Sequence, residues 1–246
     1  MPNKILIIGE SCKDVFIYGK VERLEPAAPV PVVKAVKTVT NGGMAMNVAM
    51  NLKSLDMVYD IHTNSTWESI TKTRIVEQTT NHMFLRMDSN ENQYQSCRLK
   101  EIDFFKYVAI IICDYNKGFL TKKDIQYICK NHSLVFLDTK KKLEKWCECA
   151  TYIKINQVEY NNAKKITKKI EENLIITLGA KGAKYLDKIY SVEQTAVKDL
   201  SGAGDTFLAG LVANYIKTKD MNTAIEFANE CATRVVQKQG VSTIGD

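Results

Sequence analysis

The chain has 246 residues, 45% hydrophobic and 25% charged, with a formal net charge of +6; that length buries one large core and requires no second independent unit. The mild basicity, with lysines dispersed and only 140–142 forming a short run, reads as solvated surface with a modest bias toward anionic ligands, and without zinc-finger spacing, RNP-type aromatics or a long basic stripe nucleic acid is not an expected partner. Seven scattered cysteines and no signal peptide imply reduced thiols in the cytoplasm, Cys147 and Cys149 have no second pair or nearby His to complete a zinc site, and no apolar run reaches the ~20 residues of a membrane span.

In chain order, KILIIG at 4–9 is the first of several unalternating apolar runs that stop at a polar residue or glycine. Residues 15–40 carry all but one of the prolines and many β-branched residues, which predicts strands outside the main sheet. A helical period follows over 43–55, and 70–99, with ITKTRIVEQ and HMFLRMD, leans to strand again. YVAIIICD then ends at Asp114, SLVFLD at Asp138, TYIKIN at Asn156 and LIITLG at Gly179, with helices predicted over 121–131, 157–171, 205–217 and 222–238. Such runs, separated by helices, are how strands covered on both faces of a parallel sheet read. The prediction is a doubly wound, mostly parallel, three-layer α/β domain over 1–246, with a small antiparallel β lid built from approximately 15–40 and 70–99. Ligands of such sheets bind beyond the carboxyl ends of the strands, where Asp114, Asp138, Asn156 and Gly179 would converge. A lid that excludes water suits a group-transfer enzyme.

DLSGAGDTFLAGL at 199–211 places Gly202, Ala203 and Gly204 before the carboxylate of Asp205, where loop becomes helix. Asp there can be an ordinary helix-capping acid. The same arrangement can hold an anion on bare backbone N–H groups, with Asp205 beside it as a base. Phosphoryl transfer needs positioning, charge neutralisation and removal of a hydroxyl proton. Neither a P-loop nor a dinucleotide fingerprint after the first strand offers a competing reading.

GAGDTFLAG with its preceding Asp199 resembles the second signature of the ribokinase (PfkB) family of carbohydrate kinases, and NGGMAMNVAMNL at 41–52 resembles the first. Between them, IKINQVEY resembles the family's Asn-x-x-Glu element and TLGAKGA at 177–183 its nucleotide-binding turn, so that motifs in the family's order span most of the chain. GESCKDVFIYGKVERLEPAAPVPVVK, ITKTRIV, FLRMD at 84–88, CDYNKG at 113–118 and LDTKK at 137–141 look like the D-glycero-D-manno-heptose 7-phosphate kinase branch.

The resemblance implies an ATP- and Mg2+-dependent enzyme that phosphorylates a sugar or sugar-phosphate hydroxyl, with heptose 7-phosphate going to the 1,7-bisphosphate. It implies Asp205 as the base, Gly202, Ala203 and Gly204 as the anion hole, and Asp14, Gly43 and Asn47 on the sugar hydroxyls. Asn156 and Glu159 would arrange Mg2+ through water, and Thr177, Gly179 and Gly182 would face ATP. A phosphorylated acceptor needs a cationic contact, for which Lys72, Arg74, Arg86 and Lys117 are the candidates. Bland alternatives stand beside these roles. Asp14 could be a turn residue, Asn156 and Glu159 a strand-end turn and an exposed helix carboxylate, Lys72 and Arg74 a solvated strand face, and Arg86 with Asp88 a surface ion pair. Another sugar or nucleoside as acceptor, or a trimmed non-catalytic binder, are the rival functions. The family also implies a homodimer through the lid, whose strand edges could pair.

The chain departs from that branch between the first signature helix and the Thr-Lys-x-Arg segment. Only MVYDIHTNSTWESITKTR fills the gap, so a βαβ-like portion is missing, and one sheet edge and the sugar pocket's wall are expected to be altered. Position 10 is Glu where the branch has Asp. The chain ends at GVSTIGD, so no nucleotidyl-transfer step is expected of it.

Overall fold

Each apolar run becomes a strand whose alternate side chains enter two different cores. The computed structural model describes residues 4–163 and 166–245. Along the chain the strands are β1 (Lys4–Gly9), β2 (Lys13–Leu24), β3 (Pro31–Asn41), β4 (Tyr59–His62), β5 (Thr71–Glu77), β6 (Met83–Ser89), β7 (Tyr107–Asp114), β8 (Val135–Thr139), β9 (Tyr152–Asn156), β10 (Leu174–Thr177), β11 (Ala183–Tyr185) and β12 (Lys188–Tyr190). The helices are α1 (Gly43–Ser54), α2 (Lys122–Asn131), α3 (Gln157–Asn161), α4 (Lys168–Glu172), α5 (Ala203–Thr218) and α6 (Met221–Val236).

The main sheet runs β12-β11-β10-β9-β8-β7-β1-β4. From β10 to β4 every pairing is parallel, and β11 and β12 add antiparallel strands at the far edge. Ile5 and Ile7 of β1 enter one core with Val48 and Leu52 of α1, Phe207 and Leu211 of α5 and Ile225 of α6. Leu6 and Ile8 enter the other with Ile125 and Ile128 of α2, Trp146 and Ile170. A strand buried on both faces cannot alternate polar with apolar, which is why these runs read as unbroken hydrophobic stretches. Because β1 lies between β4 and β7, the chain leaves it to one side and returns on the other, which makes the carboxyl ends of β1 and β7 a topological switch point.

A second sheet, β3-β2-β5-β6, forms the lid. Its outer pairings are antiparallel and its central one, β2 with β5, is parallel. The parallel pairing follows from the main sheet, since β1 and β4 are parallel neighbours and each is followed by a lid strand. The inner lid face carries Asp14, Phe16 and Tyr18 from β2 and Lys72 and Val76 from β5, all buried.

Two expectations change. The helix predicted over 157–171 is two short helices, because a second start signal lies inside it, where the Thr167 side chain caps α4 by accepting from Ile170 N. Beyond Ser89 the lid segment leaves the strand for short 3-10 turns at Glu91–Gln93 and Leu99–Glu101. Among the described residues no helix is long and apolar enough to cross a membrane.

Candidate active site

Helix α5 begins at Ala203 because Gly202 takes a left-handed conformation, φ +81°, that turns the incoming loop into the helix. A side chain at Gly202 would also bring its Cβ to 2.6 Å from Asn47 Nδ2. That absence of bulk lets α1 close on α5, so that Asn47 Nδ2 donates to Asp205 Oδ2 at 2.9 Å. From the other side the Tyr115 hydroxyl donates to Asp205 Oδ1 at 2.7 Å. Desolvation is the largest influence on Asp205 and pushes its pKa above the ordinary carboxylate value, Asn47, Tyr115 and the Lys154 charge oppose it, and the Asp138 charge adds to it. A carboxylate at the positive end of a helix, tuned upward, suits proton abstraction near neutral pH.

Beside the helix start lies a buried polar cluster from the ends of β7, β8 and β9. Lys154 Nζ pairs with Asp138 Oδ2 at 2.6 Å. The same ammonium would stand 3.1 Å from a Cβ at Gly204, so the glycine leaves Lys154 a clear approach to the α5 N-terminus. Asp138 Oδ1 is buried and has no hydrogen-bond partner among the described residues. Lys140 pairs with Glu159 and lies over the Tyr115 ring, 5.7 Å from its centroid. Burial acts to lower the Lys140 pKa, but the charges of Asp138, Glu159 and Asp205 outweigh it and hold the pKa up. Lys141 pairs with the buried Asp114, which also accepts from Thr139 Oγ1. The lysine run at 140–142, expected to be solvated surface, therefore supplies two ion pairs to this cluster. Glu10 is buried and accepts from the backbone N–H groups of Tyr115 at 2.7 Å and Lys117 at 3.0 Å. It shapes the loop that presents Tyr115.

Asn156 and Glu159 take the local role the sequence left open. Each side chain accepts from the other's backbone N–H at 2.8 Å, a reciprocal cap that starts α3. Among the described residues no group of three or more His, Cys, Asp or Glu could hold a metal ion. The buried Asp138 oxygen left without a partner suits a hard divalent ion that keeps most of its water, whereas the Glu159 oxygens are taken by Lys140 and the Asn156 N–H.

On the lid side, Asp14 forms an ion pair with Arg74, whose guanidinium lies 4.8 Å from the Phe16 ring centroid. A Cβ at Gly43 would come within 3.4 Å of the Asp14 Cβ, so Asp14, Gly43 and, one helical turn on, Asn47 do come together. Lys72 reaches Asp88 at 3.3 Å and Glu91 at 2.7 Å, Lys117 shares Glu91 at 2.7 Å, and Arg86 binds Asp88 through two bonds of 2.8 Å. Arg74 and Arg86 stand directly opposite each other across β5 and β6. Like charges in that register repel.

Thr177, Gly179 and Gly182 border a cleft of about 600 Å³ whose wall includes Phe207, Asn229 and Val236. A second cleft of about 510 Å³ shares Thr177, Gly179 and Gly204 with it and extends to Asn156, Lys154 and Asp205. Gly182 sits at φ +85°, and a Cβ there would lie 2.0 Å from Tyr190 O. All the catalytic and nucleotide-side candidates thus face one trough, and the lid candidates Lys72, Arg74, Arg86 and Lys117 form a separate cluster around Asp14, Asp88 and Glu91. The residues that sequence reasoning passed over are Tyr115, Lys140 and Lys154. All three lie in stretches already quoted, Lys154 within IKINQVEY, two residues before Asn156 and inside a strand, where a lysine reads as solvated.

This geometry has known counterparts. The profile described as pfkB family carbohydrate kinase matches residues 56–245. The bifunctional protein HldE of Helicobacter pylori strain HPAG1 is 32% identical over 295 positions covering 96% of the chain, and that of a Nitratiruptor species is 30% identical covering 99%. The chain spans about 63% of the length of these relatives. An aligned span of 295 positions against 246 residues means that the relatives carry segments this chain lacks. Among solved structures, the nucleoside kinase of Methanocaldococcus jannaschii superposes with a TM-score of 0.72 at 17% identity, over 98% of this chain and 95% of that one. Arabidopsis thaliana ribokinase, complexed with ribose and ATP, superposes with a TM-score of 0.67 at 13% identity, over 99% and 95%. With the doubly wound sheet, the lid and the profile match all in agreement, the chain belongs to the pfkB family of carbohydrate kinases.

Proposed function

We propose that this protein transfers the γ-phosphoryl group of ATP to a hydroxyl of a phosphorylated sugar, with D-glycero-D-manno-heptose 7-phosphate as the acceptor and the 1,7-bisphosphate as the product. The observation that carries the reading is Asp205 at the α5 N-terminus, held by Asn47 and Tyr115. Asp205 takes the proton from the acceptor hydroxyl, whose oxygen then bonds to the γ-phosphorus as the bond to the ADP oxygen breaks; Asp205 afterwards returns the proton to water. The N–H groups at Gly202, Ala203 and Gly204, with Lys154 beside them, hold the charge on the transferred group. Asp138, Asn156 and Glu159 would hold Mg2+ through water, and the ion would supply charge neutralisation on the nucleotide phosphates. Thr177, Gly179 and Gly182 border the nucleotide. Asp14, Gly43 and Asn47 orient the sugar.

The choice of a phosphorylated acceptor rests on the lid. Arg74, paired with Asp14, stands opposite Arg86, paired with Asp88, with Lys72 and Lys117 nearby on Glu91, and an acceptor phosphate would take the place of those carboxylates on the guanidinium groups. A coupled assay for ADP, run with heptose 7-phosphate, the unphosphorylated heptose, common sugars and nucleosides, tests the reading. Turnover that requires the acceptor phosphate supports it. Turnover of an unphosphorylated sugar or a nucleoside alone would replace the acceptor, and no turnover by folded, ATP-binding protein would leave a binding protein.

The outer lid face favours a homodimer. Val15 and Ile17 of β2, Ile75 of β5, and Leu85 and Met87 of β6 occupy one face by register, and Leu85 and Met87 are about half exposed. A second copy covering this apolar face would leave the inner face free for substrate. A light-scattering mass near the 27.8 kDa of one chain would remove the dimer. Use of ATP and reduced thiols is consistent with a cytoplasmic enzyme.

A further inference from the structure

Asn51 lies one turn beyond Asn47 on α1, against α5, and is completely buried. An apolar residue would fill that position without the cost of burying an amide, so both ends of the Asn51 side chain need partners, and both have them. Asn51 Nδ2 donates to Asn47 O at 2.9 Å and faces Asn47 Oδ1 at 3.5 Å. Asn51 Oδ1 accepts from Ile244 N, in the segment after α6, at 3.2 Å, and from Thr206 Oγ1 of α5 at 3.2 Å. Asn47 Nδ2 donates in turn to Asp205 Oδ2 at 2.9 Å. Two side-chain amides thus connect the Ile244 N–H to the base. The two ends of an amide have nearly the same shape, so packing does not choose between them and hydrogen bonds must. The Thr206 hydroxyl can donate or accept and expresses no preference. A backbone N–H only donates, so Ile244 holds the Asn51 oxygen toward itself and the NH2 group toward Asn47.

We propose that Asn51 is a positioning residue for the base: fixed by the Ile244 N–H, it holds the Asn47 amide with its NH2 group toward Asp205, so that α1 serves only the ionised carboxylate. An ionised Asp205 asks for that orientation by itself, because a carboxylate only accepts. A protonated Asp205 does not, since its hydroxyl could donate to the oxygen of a turned Asn47. Asn51 opposes the turn, which would set two NH2 groups against each other and leave the Asn51 donor facing no side-chain oxygen. Burial pushes the Asp205 pKa up, and the Asn47 hydrogen bond is the first influence that opposes it. Freeing Asn47 to turn therefore lets Asp205 keep its proton to higher pH. The ionisable groups that face Asp205 are Cys113 of β7, Tyr115 beyond it, Asp138 of β8, Lys140 beyond that strand and Lys154 of β9. Substitutions at 51 and 244 change the charge of none of them. The role rests on Asp205 as the base proposed above, and it does not depend on which acceptor is used.

The test is an NMR titration of the full chain labelled at the aspartate carboxyl carbon, with the Asp205 signal identified by its loss in Asp205→Asn; it reads the carboxylate without requiring turnover. Asn51→Leu, which replaces the amide with an apolar side chain of similar size, and Ile244→Pro, which removes the N–H donor, should each move the Asp205 midpoint to higher pH. Thr206→Val, which takes a hydroxyl from the same buried group, should leave the midpoint in place. In the ADP assay, kcat/KM of Asn51→Leu should fall by ~5-fold or more on the acid limb and by less than ~2-fold on the plateau. Midpoints in Asn51→Leu and Ile244→Pro that coincide with that of the unsubstituted protein would overturn the proposal. An equal shift in Thr206→Val would overturn it too, because general loosening between α1 and α5 would then account for the effect. A midpoint that moves while the acid limb stays would uphold the orientation of Asp205 by Asn51 and remove Asp205 as the base, so the two failures are distinct. Ile244→Pro leaves the buried face of α1 untouched and decides the matter if Asn51→Leu does not fold.

Discussion

Replacing Tyr115 with Phe removes one hydroxyl and keeps the ring that Lys140 covers. The hydroxyl donates to Asp205 Oδ1 at 2.7 Å, and after its removal Asn47 still serves Oδ2 at 2.9 Å. A hydrogen bond to a charged group contributes about 1.5–3 kcal/mol, so its loss makes ionisation of Asp205 harder by that order and raises its pKa. The direction is fixed by which form the hydroxyl serves. It stabilises the ionised carboxylate against the upward push of burial, and without it the carboxyl keeps its proton to higher pH. A base acts only when ionised, so the acid limb of kcat/KM moves to higher pH, while the plateau above that limb changes less. Initial rates of ADP formation across a pH series, for wild type and Tyr115→Phe, make the comparison. If the two acid limbs coincide in proteins of equal fold and ATP affinity, Asp205 is not the titrating base and the reasoning fails.

Asp205→Asn should lower kcat by at least ~100-fold while equilibrium binding of ATP is retained, and equal activity in both proteins would point to a binding role. Arg86→Gln should reduce kcat/KM for a phosphorylated acceptor by ~10-fold or more and leave an unphosphorylated sugar nearly unaffected, as measured in the same coupled assay. Gly182→Ala should cost at least ~1–3 kcal/mol in urea unfolding, because its Cβ would meet Tyr190 O at 2.0 Å from a backbone at φ +85°. Leu85→Lys, on the outer lid face, should shift the light-scattering mass toward that of one chain.

The sheet was legible because its strands are covered on both faces, and burial of Ile5 and Ile7 in one core and Leu6 and Ile8 in the other leaves no polar alternation to confuse with a solvated strand. The start of α5 was legible because the turn into it needs a left-handed residue, which Gly202 supplies at φ +81°. Tyr115 and Lys154 were not, because their roles depend on partners far away in the chain. Lys154 is kept buried by Asp138, and Tyr115 is aimed by the Glu10 carboxylate, which fixes the backbone N–H groups of its loop. The periodic run at 157–171 misled because a 3.6-residue rhythm continues through the cap at Thr167, and periodicity alone does not register a second helix start. The lid strands were visible in the β-branched composition of both segments. The parallel pairing of β2 with β5 was not, since strand direction there is inherited from β1 and β4.

The short connection between β4 and β5 raised the question of whether the acceptor pocket has lost a wall. Its backbone and side chains answer in detail. Asn64 Oδ1 accepts from Ser11 N at 2.9 Å, and the Trp67 and Ile70 carbonyls accept from Lys13 N at 3.1 and 2.8 Å, so the connection pins the loop that leads into β2 and Asp14. Thr66 Oγ1 donates to Gln93 O at 2.8 Å, and Asn90 Nδ2 donates to Ser69 O at 2.9 Å, which anchors the turn carrying Glu91, the carboxylate shared by Lys72 and Lys117. Ile70 is fully buried against Cys12 and Met44, beneath the first turn of α1. The short connection therefore holds Asp14 and the turn bearing Glu91 in place through its own backbone and side chains.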